Sequence, residues 1–333
     1  MAGHRSWSNK FTYEEAVGRA AIALIGHPFD YAKILIQLGY EPLAPFPTKT
    51  IFGTPKLALP NVFSYLGHIR NMDGQFGYFR GVKYKIASTL IYNFVYINSN
   101  DLVKSLCESD EDEEKKKKEE GDESGSRRRA VKKTLSKEKL KETFDALMRE
   151  TFCKFLSLAA AYPMQLLVVR SCAQFIGRET VYDSFRSGIR DIYTNSGISG
   201  FYAGFMPRFL YDVFVLWSTH GILLLIRGLV LDRMVDPETG NIAGTNGLES
   251  YVAASVNFLL SSTMYPFHVV STVMACNGRS AASLEAAALE GKEFLDWTEC
   301  WRHLSSLGQL KRGSSLIFRY QANQPHRFVY PRM

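Results

Sequence analysis

Apolar residues cluster in five stretches, each long enough to cross a bilayer core, which takes about 20 residues of helix. They run over residues 15–38, 82–106, 146–176, 205–231 and 248–275. None is uniformly apolar. Each carries polar residues in one angular sector, the pattern of a bundle with a polar interior and a lipid-facing exterior. The fourth is the most apolar, with the run Ile222-Leu223-Leu224-Leu225-Ile226. That run weighs against the alternative of a soluble bundle of amphipathic helices. Small residues at close spacing, such as Gly18, Ala23 and Gly26 in the first stretch and Ala253, Ser255 and Ser262 in the fifth, suit close packing of membrane helices.

Three of these stretches hold a proline in similar surroundings: Gly26-His27-Pro28-Phe29-Asp30, Ala161-Tyr162-Pro163-Met164-Gln165 and Met264-Tyr265-Pro266-Phe267-His268. Proline breaks a soluble helix. A membrane helix tolerates it when neighbouring helices re-satisfy the freed backbone groups. The interval between the first two is the longer by the length of a charged insert, residues 108–139. Without the insert the intervals agree, so the chain reads as three repeats. The insert alternates acidic and basic blocks and is expected to form a solvated, disordered loop. The predicted organisation is repeat 1 over residues 1–107, the insert over 108–139, repeat 2 over 140–235 and a degenerate repeat 3 over 236–333.

A short amphipathic helix is predicted between the paired stretches of each repeat. The first ends in Gly74-Gln75-Phe76-Gly77-Tyr78-Phe79-Arg80-Gly81, the second in Gly197-Ile198-Ser199-Gly200-Phe201-Tyr202-Ala203-Gly204. Glycine ends a helix and turns the chain. A weaker version follows the fifth stretch, ending in Gly308-Gln309-Leu310-Lys311-Arg312-Gly313. Beyond it the sequence is short, arginine-bearing and poor in aliphatics. No sixth membrane helix is expected after Gly313, and a cleft is expected beside the first and fifth.

Composition refines this picture modestly. The chain has 333 residues and a formal net charge of +7, and its mean hydropathy of −0.11 is lowered by the insert. The basic surplus suits anionic lipid headgroups. No aromatic–basic pattern points to nucleic acid. The five cysteines, Cys107, Cys153, Cys172, Cys276 and Cys300, form no CxxC pair, which indicates neither a disulfide framework nor a zinc site. His27, His220 and His268 have no partners at ligand spacing, so no metal or other cofactor is expected. No Ser-His-Asp set, phosphate loop or carboxylate pair stands at catalytic spacing, so the chain is not expected to be an enzyme. The polar N-terminus does not read as a secretory signal.

The repeated proline helix, surface helix and Gly-x-x-Gly-aromatic-aromatic-x-Gly turn resemble the mitochondrial carrier superfamily. Pro28, Asp30, Lys33 and Gln37 match its first-repeat pattern in full. The resemblance implies an all-α membrane bundle of three repeats. In transporting carriers the acid and base of each repeat join in an inter-repeat salt-bridge ring that gates the cavity. This chain departs from that. Repeat 2 has Gln165 and Val168 at those positions, and repeat 3 has His268 and Ser271. Asp30 and Lys33 alone cannot complete a ring. These departures, with the segments 37–43 and 171–179, resemble the divergent mitochondrial carrier homolog family.

That resemblance implies a multi-pass protein of the mitochondrial outer membrane. It implies insertion of tail-anchored and other α-helical client proteins, lipid scrambling, and an apoptosis-related role as receptor for a pro-apoptotic BH3 protein. The alternatives are a solute carrier of the inner membrane, which a complete ring and sixth helix would favour, and a non-catalytic receptor or scaffold using the insert. The degenerate sixth helix predicts a laterally open polar groove. Its candidate lining is Asp30, Lys33, Gln37, Gln165, Arg170, Arg208, Asp212 and His268. Asp212 reads either as a structural partner of Arg208, four residues back, or as a groove charge. Lys33 reads either as an intrahelical partner of Asp30 or as a groove cation. Arg170 and Gln174 either line the cavity or reach toward the interface.

Overall fold

The computed structural model describes residues 13–49, 53–119, 128–226, 245–290 and 292–320. It is mainly helical. Helix α1 spans Tyr13–Gln37, α2 Val62–Asp73, α3 Val82–Glu119, α4 Arg128–Ala173, α5 Phe185–Ser196, α6 Phe205–Ile226, α7 Thr245–Thr263, α8 Tyr265–Ala275 and α9 Trp297–Ser306. Strands β1 (Phe46–Lys49), β2 (Pro55–Leu59) and β3 (Arg319–Tyr320) form an antiparallel sheet in that order, with Phe46 opposite Ala58 and Leu59 opposite Arg319.

Pro28 and Pro163 sit inside α1 and α4 without ending them. The third proline acts differently. The predicted stretch 248–275 is two helices, because Pro266 starts α8 and Met264 leaves helical geometry with φ −83° and ψ 1°. A proline ring crowds the carbonyl four residues back, which accounts for the interruption. A second difference concerns the insert. Expected as an irregular loop, its backbone is helical over residues 108–119 and 128–139. Glutamate and lysine are good helix formers, so a charged block continues a helix that packing has already started. The end of the fourth predicted stretch, residues 227–231, lies outside the described residues. The sheet was not foreseen in an all-α reading.

The chain forms two compact bodies, one from Met1–Ala20 with Ala87–Ala161 and one from Ala21–Ile86 with Tyr162–Met333. In the first, Arg19 Nη1 donates to Asn93 Oδ1, and Lys154 pairs with Glu150 at 3.1 Å. Ser157 Oγ donates to the Cys153 carbonyl at 2.6 Å. Threonine and serine hydroxyls bonded back along a helix in this way need no solvent.

The second body shows the threefold repeat in its contacts. The residue before each proline bonds to the carbonyl that precedes its own repeat's closing glycine. His27 Nε2 lies 2.7 Å from the Arg80 oxygen, Tyr162 Oη donates to Ala203 O at 2.8 Å, and Tyr265 Oη donates to Arg312 O at 3.2 Å. The closing glycines Gly81, Gly204 and Gly313 all have left-handed φ, at 80°, 80° and 76°. Each lies against the next repeat. A Cβ on Gly81 would meet Ser171 at 3.3 Å, one on Gly204 would meet Ser271 O at 2.4 Å, and one on Gly313 would meet Gln37 Cγ at 3.3 Å. The third contact returns to α1 and closes the circuit.

The repeats then diverge. Helix α3 begins at Val82 and α6 at Phe205, each directly after its closing glycine. After Gly313 the described chain is not helical through Tyr320 and ends in β3. The amphipathic helices bury one side each: Val62, Tyr65 and Ile69 in α2, Ile192 in α5, Cys300 and Leu304 in α9. The last two join Val269, Val270 and Val273 of α8 in an apolar core.

Replacing Gly204 by alanine therefore adds a clash with a backbone oxygen to an unfavourable φ, and is expected to cost about 3 kcal/mol. At Gly197, φ 64°, an added Cβ would meet no described atom within 4 Å, so Gly197→Ala is expected to cost about 1 kcal/mol. Chemical unfolding in detergent measures both. Equal costs would mean that the repeat contact does not constrain the turn.

Candidate functional site

The polar centre of the second body is built around Gln37, at the last turn of α1. It is fully buried. Its Nε2 donates to Tyr265 Oη at 2.7 Å and lies 3.2 Å from His268 Nδ1. Its Oε1 accepts from Thr272 Oγ1 at 3.0 Å. The His268 ring stacks on Tyr265, with centroids 6.1 Å apart and planes 6° from parallel. Neutral hydrogen bonds thus join the first and third repeats at the level where the sequence suggested lost ion pairs. Ser271, at a base position of the carrier pattern, donates to Gly204 O at 2.8 Å. Val168, the other, is buried.

Beside this network lies a small cavity of about 50 Å³, lined by Tyr162, Gln165, Arg208, His268, Ser271 and Thr272 among others. Three predicted groove residues, Gln165, Arg208 and His268, therefore meet at one cavity. Arg208 Nε stands 3.7 Å from Asp212 Oδ2, one helical turn along α6. Both are partly exposed, so the pair keeps some contact with its surroundings.

The remaining candidates are placed elsewhere. Asp30 pairs with Lys85 of α3 at 3.4 Å. Lys33 Nζ sits over the Tyr265 ring, 5.1 Å from its centroid, a cation–π arrangement. Arg170 does not line the cavity and does not reach toward an interface. It is fully buried, its Nε donating to Ala275 O at 2.9 Å and its Nη1 to Tyr182 Oη at 3.2 Å. Tyr182 Oη donates in turn to Asp191, which also accepts from Ser283 Oγ at 2.9 Å. Burial pushes the Tyr182 phenol up to about 12, so it remains a donor to Asp191 at neutral pH. Gln174 joins the same knot, accepting from Tyr182 N at 2.9 Å and donating to Asp183.

Sequence reading missed the residues that precede the prolines, His27, Tyr162 and Tyr265. A signal was present: all three are capable of hydrogen bonding at an otherwise apolar helix position. Lys85 was missed because nothing local marks a partner 55 residues away. Among the described residues no three His, Cys, Asp or Glu side chains converge as a metal site.

The two arginines should behave differently. Arg170→Gln leaves a buried knot incomplete and is expected to lower stability by about 3 kcal/mol. Arg208→Gln removes one half of a partly exposed pair and is expected to cost under about 1 kcal/mol. Denaturant unfolding of the two variants tests this, and a reversed order would place the structural charge on α6.

Comparison with known proteins agrees with the repeat geometry. The family model described as "Mitochondrial carrier protein" matches residues 139–223. Mitochondrial carrier homolog 2 of Homo sapiens is 32% identical over 304 residues, covering 90% of this chain and 91% of the relative. The Bos taurus protein of that name is 33% identical with the same coverage. Mitochondrial carrier homolog 1 of Mus musculus is 30% identical over 311 residues, covering 90% of this chain and 74% of the relative. With similarity of this extent across the three repeats, the chain belongs to the mitochondrial carrier homolog family.

Proposed function

We propose that this protein is a multi-pass insertase of the mitochondrial outer membrane. Tail-anchored and other α-helical clients enter lipid through a laterally open polar groove. The observation that carries the reading is the fate of the chain after each closing glycine. Repeats 1 and 2 continue at once into a long helix, whereas residues 314–318 of repeat 3 bend irregularly into the short strand Arg319–Tyr320. A carrier bundle without its sixth helix leaves polar side chains facing lipid beside α1 and α7.

The surfaces of the helices suit that setting. Two helical stretches, Thr143–Ala173 and Ser199–Ile226, are long and apolar enough to cross a bilayer by composition. Helices α1, α3 and α7 complete five spans in this reading. Ile25 of α1 is 76% exposed and Phe258 of α7 is 71% exposed, apolar surface that lipid would cover.

The chemistry follows from desolvation. A polar tail costs several kcal/mol, on the order of 2–7 per unpaired group, in hydrocarbon. A furrow lined by Gln165, Arg208, Asp212 and His268, with the buried Gln37 behind them, replaces part of its water while the apolar helix slides sideways into lipid. Gln37 and His268 bind one another through neutral groups, so the furrow has no ion-pair ring to break and reset. The same path accommodates phospholipid headgroups, which supports scrambling as a side activity. The BH3-protein receptor role rests on the family resemblance and draws on no contact described above.

Purified protein in liposomes, assayed for helix insertion and lipid flipping in parallel, tests the reading, and absence of both activities would refute it. Client tails commonly carry lysine or arginine beside the apolar helix. Asp212→Asn is expected to slow insertion of a lysine-tailed client about fivefold, the effect of about 1 kcal/mol of lost attraction. Lys33→Gln is expected to leave the rate unchanged or raise it. Normal insertion by a well-folded Asp212→Asn variant would reduce Asp212 to a partner of Arg208.

A further inference from the structure

A second cavity of the second body lies at the end of α1. It has a volume of about 310 Å³ and lies between Ile36, Gly39, Glu41 and Leu59 on one side and Gly308, Gln309 and residues 311–315 with Phe318–Tyr320 on the other. Arginines line it, but their charge is already committed. Arg312 bonds to Gln37 O, Gln309 and Glu290. Arg319 pairs with Glu41 and donates to Pro60 O at 2.9 Å. What these charges hold in place is the chain itself.

We infer that residues 315–320 are a releasable strap, closing this cavity from the position where the first two repeats start a helix, and that client insertion requires the strap to open. The second part rests on the insertase reading; the first does not.

The way the strap is attached supports release. Its two outward residues, Ile317 and Phe318, are exposed, Phe318 at 74%, so they anchor nothing by apolar burial. Its sheet pairing is limited to Ala58 with Tyr320 and Leu59 with Arg319. One further backbone bond runs from Val62 N to Leu316 O at 2.8 Å. The Glu41–Arg319 pair, with side chains 6% and 5% exposed, the Arg319–Pro60 bond, and Lys56 over the Tyr320 ring at 5.8 Å from its centroid complete the attachment. Burial raises the Glu41 carboxyl above its ordinary range despite Arg319. Such a pair selects one position for the strap but adds little net stability. A segment held mainly by polar contacts, with Leu316 half-buried as its one apolar contact, belongs to the low-stability end of a structure, where local opening occurs without global unfolding. Opening would uncover the cavity and Ile36 in the last turn of α1, next to Gln37 and its polar network.

Two measurements on the full-length protein separate the parts of this inference. The first is hydrogen exchange. The Val62 amide is expected to exchange about a hundredfold faster than the amides of Val269–Val273, and faster again in Glu41→Gln, with Val269–Val273 unchanged. Val62 protected as strongly as α8 in both proteins would overturn the releasable strap. The second is a disulfide lock between Ala58→Cys and Tyr320→Cys, whose Cα atoms are paired across the ladder at a spacing a disulfide accepts. In liposomes the oxidised double variant is expected to insert client about tenfold slower than its reduced form, with oxidation leaving the parent unaffected. Equal rates in the two forms would overturn the gating role. Failure of the reduced protein and the parent to insert any client would instead refute the insertase reading, leaving the strap to be judged by exchange.

Discussion

The fold depends on one repeated hydrogen bond, from the side chain before each helix proline to the carbonyl before the closing glycine of the same repeat. His27 reaches Arg80 O, Tyr162 reaches Ala203 O and Tyr265 reaches Arg312 O. The bond fixes where the surface-helix segment returns to its odd-numbered helix. The following glycine, free of a Cβ and in left-handed φ, then presses against the next repeat. A side chain there would displace a backbone oxygen or a packed tyrosine. Each repeat thus sets the position of its neighbour, and the third repeat sets the first through Gly313 and Gln37.

Within that frame the level of the lost ion-pair ring is held by uncharged side chains. Gln37, Tyr265, His268 and Thr272 satisfy one another, and Ser271 holds the Gly204 turn. A buried hydrogen bond between neutral groups avoids the large desolvation cost of an ion pair. It also cannot be exchanged for substrate as readily as a salt-bridge ring can. The charges that remain lie to the side: Arg208 with Asp212 on α6, Asp30 with Lys85, and Lys33 over an aromatic face. The one fully buried arginine of the predicted set, Arg170, belongs to a knot with Tyr182 and Ala275 that joins repeats 2 and 3 rather than to any open path.

Much of this was legible in one dimension. The prolines, the glycine turns and the apolar stretches recur in order, so repeat number and the long helices follow from spacing, and the carrier-like architecture from what the resemblance of those motifs implies. Helix α1 agrees with its predicted stretch to within two residues. The Arg208–Asp212 pair was also legible, because four residues is one helical turn. The sheet carried only a faint signal, with Thr48 and Lys49 between prolines and glycine turns, and its third strand comes from the far end of the chain. The interruption at Pro266 was illegible for a different reason: Pro28 and Pro163 stand in the same local sequence and leave their helices intact, so neighbours rather than propensity decide the outcome.

The sequence alone determined the repeat, most of the long helices and which residue types stand at the gate positions, since each rests on periodicity or on neighbours within a turn. The tertiary structure decided the partners. Asp30 chose Lys85 over Lys33, Arg170 was drawn into a buried knot, Gln37 became the junction of two repeats, and Arg319–Tyr320 paired with β2 after a non-helical stretch at the position where a helix had begun in the other repeats. Each of these is a contact between segments distant in sequence. Such a contact is selected by the cost of leaving a buried polar group unpaired, and that cost exists only once the helices have packed.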